Sequence, residues 1–144
     1  MSKVKAEIKI TEEKVWLKHY PQEHINTEFP KATIYNYLKE CNKHRENSTA
    51  LHYYGANITF KELYKRIDDA ANAFAALGVK AGDMVSFVSV ATPETITALY
   101  ALNKLGATVN TIDPRMDVKS IQRMILESGS KILLTIDIAF PKIK

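Results

Sequence analysis

The sequence lacks several features that would assign a protein to a class at once. It contains no run of about eighteen apolar residues, so we predict no membrane span. Its N-terminus carries no apolar stretch that would serve as a secretory signal. Cys41 is the only cysteine, which excludes an internal disulfide and fits a reducing compartment. We therefore expect a cytoplasmic protein.

Charge of one sign is not concentrated in any part of the sequence either. The 20 lysines and arginines are scattered among 16 aspartates and glutamates, and the formal net charge is +4. Because nucleic-acid-binding proteins collect their basic residues into a patch or stripe, we expect no nucleic-acid partner. The chain has 144 residues and no internal repeat, which is long enough for one domain with a buried core.

What the sequence does contain is an alternation of helix and strand signals from Ile58 to Ile136. The predicted helices begin near Thr33, Thr59, Thr92 and Asp117, and the predicted strands cover residues 84–90, 107–112 and 131–136, after a hairpin over 50–58. Strands joined by helices of this length pair in parallel through right-handed crossovers. We therefore predict an α/β fold with a layered, mostly parallel sheet and flanking helices.

The chain is predicted to have two regions. Residues 1–30 form an N-terminal arm with an irregular stretch between prolines. Trp16, Leu17 and Tyr20 are expected to anchor this arm, because an exposed cluster of large apolar side chains is unfavourable. Residues 31–144 form an α/β subdomain, which we expect to be truncated at its C-terminal end.

Two of the predicted helices carry specific signals. The first has Thr33 as its N-cap and a buried side at helical spacing. That buried side is predicted to consist of Ile34, Tyr37, Leu38 and Cys41. The second begins at a capping box formed by Thr59 and Glu62, and Gly78 in a left-handed conformation is predicted to end it.

A short segment rich in serine and glycine, Ser128-Gly129-Ser130-Lys131, looks at first like a phosphate-binding loop. Phosphate loops run from a strand into a helix, so that free amides at the helix start face the anion. Here the order is helix into strand, which predicts a glycine that ends a helix. The segment from Gly78 to Asp83 fails the same test.

Other residues with chemical potential form no cluster in the sequence. The histidines have no partner at a metal-ligand spacing, and we expect them on the surface: His19, His24, His44 and His52. Cys41 is predicted to be a packed thiol, the pair Asp68-Asp69 a solvated face, and Asp113 the start of a turn. We therefore assign no catalytic, cofactor-binding or metal-binding residue.

One geometric rule singles out two residues. Ligands of open parallel sheets bind beyond the carboxyl ends of the strands. These ends lead into Ala91-Thr92-Pro93 and Asp113-Pro114-Arg115. Thr92 caps a helix whose amides face this edge, and Arg115 is a cation next to it, so both are ligand candidates. Helix capping and plain surface charge are the alternative interpretations.

Several segments in order resemble the opening of an AMP-forming acyl-CoA synthetase. They extend from about Thr33 to Thr135, and each is weak alone, whereas their order and spacing together are fairly specific. The segments are ITFKEL (58–63), AALGVKAGDMV (75–85), TPE (92–94), ALNKLGA (101–107), NTIDPR (110–115) and SGSKILLT (128–135). The resemblance implies the N-terminal subdomain of the adenylate-forming enzyme fold.

The resemblance also implies a reaction. Members of this family join a carboxylic acid to coenzyme A through an acyl-adenylate, using ATP and Mg²⁺ and releasing AMP and pyrophosphate. The phosphate loop, metal-binding acid, ribose-binding aspartate and catalytic lysine of the family follow the region that this chain matches. We therefore expect no cofactor in this chain, although ATP, Mg²⁺ and coenzyme A serve the parent family, and its acid substrate stays open.

Two positions depart from what the family implies. Family members have Asn-x-Pro before the second helix of the alternation, where this chain has Ala91-Thr92-Pro93. Some members contact coenzyme A phosphates with basic residues after the last strand. Lys142 and Lys144 fall there without matching residue by residue, and they also fit a simple charged tail.

Our interpretation is an N-terminal fragment of an acyl-CoA synthetase that folds but does not catalyse. Its expected partner is the remainder of the parent chain. A stand-alone, non-catalytic α/β interaction module is the alternative, and a small nucleotide-binding domain is a weaker one. We also expect self-association, because residues 132–136 leave an apolar strand at the edge of the sheet.

Overall fold

The computed structural model describes residues 14–143, apart from the side chain of Lys142. Residues 14–31 belong to one compact unit, with a 3-10 helix at Val15–His19 and helix α1 at Gln22–Ile25. The predicted anchoring of this unit stays a prediction. The second unit begins at Ala32 and contains the α/β structure that follows.

A parallel sheet of three strands lies at the centre of the second unit. Its strands are β3 (Met84–Val88), β4 (Thr108–Ile112) and β5 (Ile132–Thr135), in the order β4-β3-β5. The sheet confirms the predicted α/β class and parallel pairing. It is shorter than predicted, because Ser89 and Val90 already belong to the loop after β3.

Helices cover both faces of the sheet. α4 (Pro93–Leu105) connects β3 to β4, and α5 (Val118–Ser128) connects β4 back across β3 to β5. Because the two connections run in opposite directions and crossovers are right-handed, the two helices lie on opposite faces. α3 (Phe60–Ala76) packs beside α4, and a short α6 (Phe140–Ile143) that the sequence did not predict packs beside α5.

The alternation of side chains along β3 divides the core in two. Val85 and Phe87 face the cluster under α3 and α4, which is centred on the fully buried Ile67. Val88 faces the cluster under α5 and α6, where Ile121 is fully buried. The central strand therefore holds the two helical layers together.

A separate two-stranded antiparallel hairpin precedes α3. Its strands are β1 (Thr49–Tyr53) and β2 (Ala56–Thr59). The turn consists of Tyr54 and Gly55, both with positive φ, which is the two-residue turn that matches the twist of a hairpin. The predicted turn at residues 55–57 was therefore one residue too far along the chain.

The ends of α3 follow the sequence signals. The Thr59 hydroxyl accepts a hydrogen bond from the Glu62 amide at 3.2 Å. The Glu62 carboxylate binds Arg66 at 2.6 Å, so this helix start uses the first half of the predicted capping box. At the other end Gly78 has a φ of 89°, and the Val79 amide donates to the carbonyl of Phe74 at 3.0 Å. This is the pattern of a glycine-terminated helix.

Helix α2 (Ile34–Cys41) begins at its predicted cap, but it buries a different side. Tyr35 is 3% exposed, whereas Ile34 is 62% and Tyr37 is 52% exposed, and Cys41 is exposed as well. The prediction of a packed Cys41 thiol was therefore wrong. The physical reason is a set of hydrogen bonds from Tyr35 to α3 and α4, described below.

None of the helices within residues 14–143 combines the length and the apolar character that crossing a membrane requires.

Candidate functional site

The carboxyl edge of the sheet has an open cavity between the loops after β3 and β4. It has a volume of about 600 Å³ and is lined by residues 89–91 and 111–115. These loops follow Val88 and Ile112, which are paired in the parallel ladder. The structure therefore places the loops that contain Thr92 and Arg115 at one edge, as the parallel arrangement predicts.

Thr92 acts as the N-cap of α4. Its hydroxyl accepts a hydrogen bond from the Thr95 amide at 3.2 Å, and the Ser89 hydroxyl lies 2.8 Å from that of Thr95. Pro93 takes the first helical position, where a missing amide hydrogen costs nothing. The capping interpretation of Thr92 is confirmed, and its ligand role stays a prediction.

Arg115 forms an ion pair with Asp113 at the rim of the cavity. Its Nη2 lies 2.6 Å from Asp113 Oδ2, and its backbone amide donates to Oδ1 at 2.8 Å. The second bond confirms that Asp113 starts a turn through its own side chain. The Arg115 guanidinium and amide lower the pKa of Asp113 to about 2. An anion at this edge would therefore meet a neutralised pair, although the Arg115 side chain is 87% exposed.

The serine- and glycine-rich segments lie at the opposite, amino edge of the strands. Gly78, Lys80, Gly129 and Lys131 line a smaller cavity there of about 380 Å³. Gly129 has a φ of 66° and ends α5, as predicted. The amino edge has no helix start directed at the cavity from these segments, so the comparison with a phosphate loop fails in the structure too.

The side chains of Ser128 and Ser130 belong to a buried cluster of hydroxyl groups around Ser86. Ser86 is 0% exposed, and its Oγ lies 2.8 Å from Ser130 Oγ, 3.2 Å from Ser128 Oγ and 3.0 Å from Asn110 Nδ2. No motif in the sequence predicted this cluster. The available signal was a serine within the apolar strand Met84–Val88, because a buried hydroxyl requires polar partners nearby.

A second polar network joins three helices. The Tyr35 hydroxyl donates to Asp68 Oδ1 at 3.0 Å, Lys104 Nζ binds the same oxygen at 2.7 Å, and the Tyr35 amide donates to Asn103 Oδ1 at 2.9 Å. The hydrogen bond from Lys104 holds the pKa of Asp68 below its usual range. Asp68 therefore connects the three helices and is not simply a solvated residue, which corrects the prediction. Asp69 pairs with Lys65 on the exposed surface, as expected.

The other candidate residues do not form a cluster in the described part of the chain. The histidines are all exposed, as expected: His19, His24, His44 and His52. Within residues 14–143 no group of three or more His, Cys, Asp or Glu side chains is placed to hold a metal ion. Lys144 lies outside the described residues, and so does the side chain of Lys142.

A model of a known protein family matches most of this chain. The model of the family described as "AMP-binding enzyme" matches residues 38–143. The chain belongs to the AMP-binding enzyme family. The matched region contains the hairpin, the whole parallel sheet and both crossover helices, which agrees with the resemblance found in the sequence.

Relatives of known name support the same family. The chain is 31% identical over 101 residues to the peroxisomal trans-cinnamate:CoA ligase of Petunia hybrida, covering 70% of this chain and 18% of that protein. It is 30% identical over 110 residues to surfactin synthase subunit 1 of Bacillus subtilis (strain 168), covering 76% of this chain and 3% of that protein. The chain thus spans less than a fifth of the length of these two relatives.

Solved structures give the same fold. The anthranilate CoA ligase AuaEII, crystallised with anthranoyl-AMP, superposes with a TM-score of 0.74 at 22% identity, covering 78% of this chain and 22% of that one. At this identity the match supports the fold alone. The chain thus has the predicted fold of the N-terminal subdomain of adenylate-forming enzymes.

Proposed function

We propose that this chain is the N-terminal scaffold of an ATP-dependent acyl-CoA ligase. The reaction joins a carboxylic acid to coenzyme A and converts ATP to AMP and pyrophosphate. The observation that carries the proposal is the family match over residues 38–143, together with a relative named as a CoA ligase. The location that we propose is the cytoplasm, because Cys41 is the only cysteine of the chain.

The chemistry proceeds in two steps. A carboxylate oxygen attacks the α-phosphorus of ATP and pyrophosphate leaves, which gives an acyl-adenylate. The thiol of coenzyme A then attacks the acyl carbon, and AMP leaves. Negative charge builds up on phosphate oxygens in the first step, so the site needs cations and amides already directed at them.

The candidate groups within residues 14–143 do not meet that demand by themselves. At the carboxyl edge, Arg115 is paired with Asp113, and the Thr92 hydroxyl is engaged in capping α4. The hydroxyls of Ser128 and Ser130 point into the core at Ser86. The described residues also contain no cluster that fits Mg²⁺, so we assign no metal step to them. We therefore propose that the chain alone folds but does not form adenylates.

ATP–pyrophosphate exchange tests this proposal. The purified chain is incubated with ATP, Mg²⁺, labelled pyrophosphate and a panel of aromatic and aliphatic carboxylic acids, with an intact acyl-CoA ligase as the positive control. We expect exchange at the level of the protein-free blank. Exchange above the blank with any acid would show that the chain holds a complete nucleotide site, and calorimetric titration with ATP would then show heat of binding.

The second candidate function is a non-catalytic α/β interaction module. The observation that favours it is the half-buried apolar strand β5, whose outer side pairs with no other strand within residues 14–143. The gene distinguishes the two functions. A reading frame that continues into a Ser/Thr/Gly-rich loop ending in lysine supports the ligase scaffold, and a stop codon after Lys144 supports the module.

A further inference from the structure

Helix α2 is attached to the rest of the second unit mainly through one side chain. Tyr35 is the only buried residue of this helix, and Leu38 is partly buried against the core. The other residues of α2 are exposed. Segments with few buried apolar contacts open locally at a lower free energy than the core unfolds. We therefore expect α2 to open while the sheet and its other helices stay folded.

The contacts of Tyr35 converge on Asp68. The Tyr35 ring packs edge-on against Tyr64 with the ring centres 6.4 Å apart, and its amide donates to Asn103 Oδ1 at 2.9 Å. The Tyr35 hydroxyl donates to Asp68 Oδ1 at 3.0 Å, and Lys104 Nζ binds the same oxygen at 2.7 Å. Lys104 Nζ also lies 5.5 Å from the centre of the Tyr35 ring. We call Asp68, Lys104 and Tyr35 the latch.

An apolar cavity lies directly beside α2. Its volume is about 390 Å³, and Leu38 of α2 forms part of its wall. The other lining side chains come from β1, α3 and α4 and include Leu51, Leu63 and Leu99. If α2 moves away, this cavity loses one wall, and Tyr64, which is 7% exposed, loses the Tyr35 ring that packs against it.

The chain after α2 has a fixed point close to the helix. The Glu46 carbonyl accepts a hydrogen bond from the Lys61 amide at the start of α3 at 2.9 Å. Residues 42–45, between this point and α2, form a turn in which the Arg45 amide donates to the Asn42 carbonyl at 2.9 Å. On its other side, α2 is the first helix of the second unit. A movement of α2 about residues 42–45 therefore leaves α3 in place.

We propose that α2 is a hinged lid beside the apolar cavity, which the latch holds closed and which protonation of Asp68 releases. The lid opens by rotation of α2 about residues 42–45. The proposal does not depend on the ligase role, because it concerns α2, α3 and α4 and not the cavity between the β3 and β4 loops.

The charges around Asp68 determine the direction of the pH effect. Lys104 faces Asp68 from α4, and Tyr35 and Lys39 face it from α2. The hydrogen bond from Lys104 holds the pKa of Asp68 below its ordinary value of 3.8, and the Tyr35 hydrogen bond and the Lys39 charge act in the same direction. The open form has the ordinary pKa, so the latch stabilises the closed form at neutral pH. This stabilisation is lost as the pH falls below about 4.

Hydrogen–deuterium exchange, measured by mass spectrometry at neutral pH, tests the latch. Peptides covering α2 should be protected about tenfold less in Asp68→Asn than in the wild type, because an amide binds Lys104 more weakly than a carboxylate does. Asp69→Asn makes the same charge change in the exposed pair with Lys65 and should protect α2 like the wild type. Peptides from α4 should keep wild-type protection in both variants.

The pH dependence separates the latch from ordinary packing. In the wild type, the protection of α2 relative to intrinsic exchange should fall between about pH 5 and pH 3 while α4 stays protected. Asp68→Asn should lack this step, because the carboxylate that titrates has been removed. At neutral pH, the dye 8-anilinonaphthalene-1-sulfonate should fluoresce more with Asp68→Asn than with Asp69→Asn, which has the same net charge, because open α2 uncovers apolar surface.

A second pair of variants removes the cation instead of the carboxylate. Lys104→Met should lower the protection of α2 as Asp68→Asn does, whereas Lys65→Met should not. Far-UV circular dichroism verifies that each variant is folded. The proposal is overturned if α2 loses protection only together with α4, if the two aspartate variants protect α2 equally, or if Asp68→Asn keeps the acid step.

Discussion

The buried hydroxyl cluster around Ser86 offers the most direct test of how this fold is held together. Ser86→Ala removes an oxygen that lies within 3.2 Å of three polar atoms on β4, α5 and the loop after α5. Ser86 is fully buried, so water does not replace the lost partner. The Asn110 amide then keeps only a contact of 3.4 Å to the carbonyl of Met124.

The expected cost follows from these contacts. A net hydrogen bond contributes about 1 kcal/mol, and a buried donor left without a good partner costs about 1–3 kcal/mol. The oxygen that is removed is small, so the cavity term is minor. Some loss is recovered because Ser128 and Ser130 still bind each other at 2.8 Å. We therefore expect Ser86→Ala to lower the free energy of unfolding by about 2 kcal/mol.

Urea denaturation followed by circular dichroism measures this change. Asn110→Ala and the double variant Ser86→Ala/Asn110→Ala complete a double-mutant cycle. The double variant should cost less than the sum of the single variants by about 1 kcal/mol, because the amide stranded by the first substitution is removed by the second. Ser120→Ala on half-exposed α5 is the control and should change stability by less than about 0.5 kcal/mol. A similarly small effect of Ser86→Ala, or strict additivity, would refute the reasoning.

Three further predictions concern α2 and the helix ends. Burial raises the pKa of Tyr35 to about 12, whereas an unfolded tyrosine ionises near 10.0. The urea midpoint of the wild type should therefore fall as the pH rises from 10 to 12. The midpoint of Tyr35→Phe should fall less steeply over the same range, and equal slopes for the two proteins would contradict the prediction. Gly106→Ala should lower the melting temperature more than Gly129→Ala. Both have positive φ, but only at Gly106 would a Cβ lie 3.1 Å from Ala81 Cβ. Thr92→Ala should cost about 1 kcal/mol in urea and Thr92→Ser much less; equal losses would argue against capping.

Local signals account for most of what could be predicted about the elements. The starts of α2, α3 and α4 lie at the predicted threonines. Their caps are visible as hydrogen bonds that the hydroxyls of Thr33, Thr59 and Thr92 accept from backbone amides. Gly78 and Gly129 end helices as predicted. These features depend on neighbours within about four residues, so a pattern read along the chain contains the needed information.

The buried side of α2 could not be predicted from local patterns. The predicted side contained Ile34, Tyr37, Leu38 and Cys41, whereas helical spacing also allows a side that contains Tyr35 and Leu38; Leu38, which belongs to both, is partly buried. The second side is buried, because the Tyr35 hydroxyl reaches Asp68 and its amide reaches Asn103. These partners lie 33 and 68 residues away, so no local period distinguishes the two sides.

The sequence by itself determined the α/β class, the order of helices and strands, and the family, because these depend on local periodicity, caps and the order of short motifs. Only the tertiary structure decided which strand is central in the described sheet, which side of α2 is buried, and which hydroxyls are buried. Those properties depend on contacts between residues far apart in the chain, such as Ser86 with Asn110 and Ser130. Such contacts cannot be predicted from one sequence, because no local pattern connects residues that are far apart in the chain.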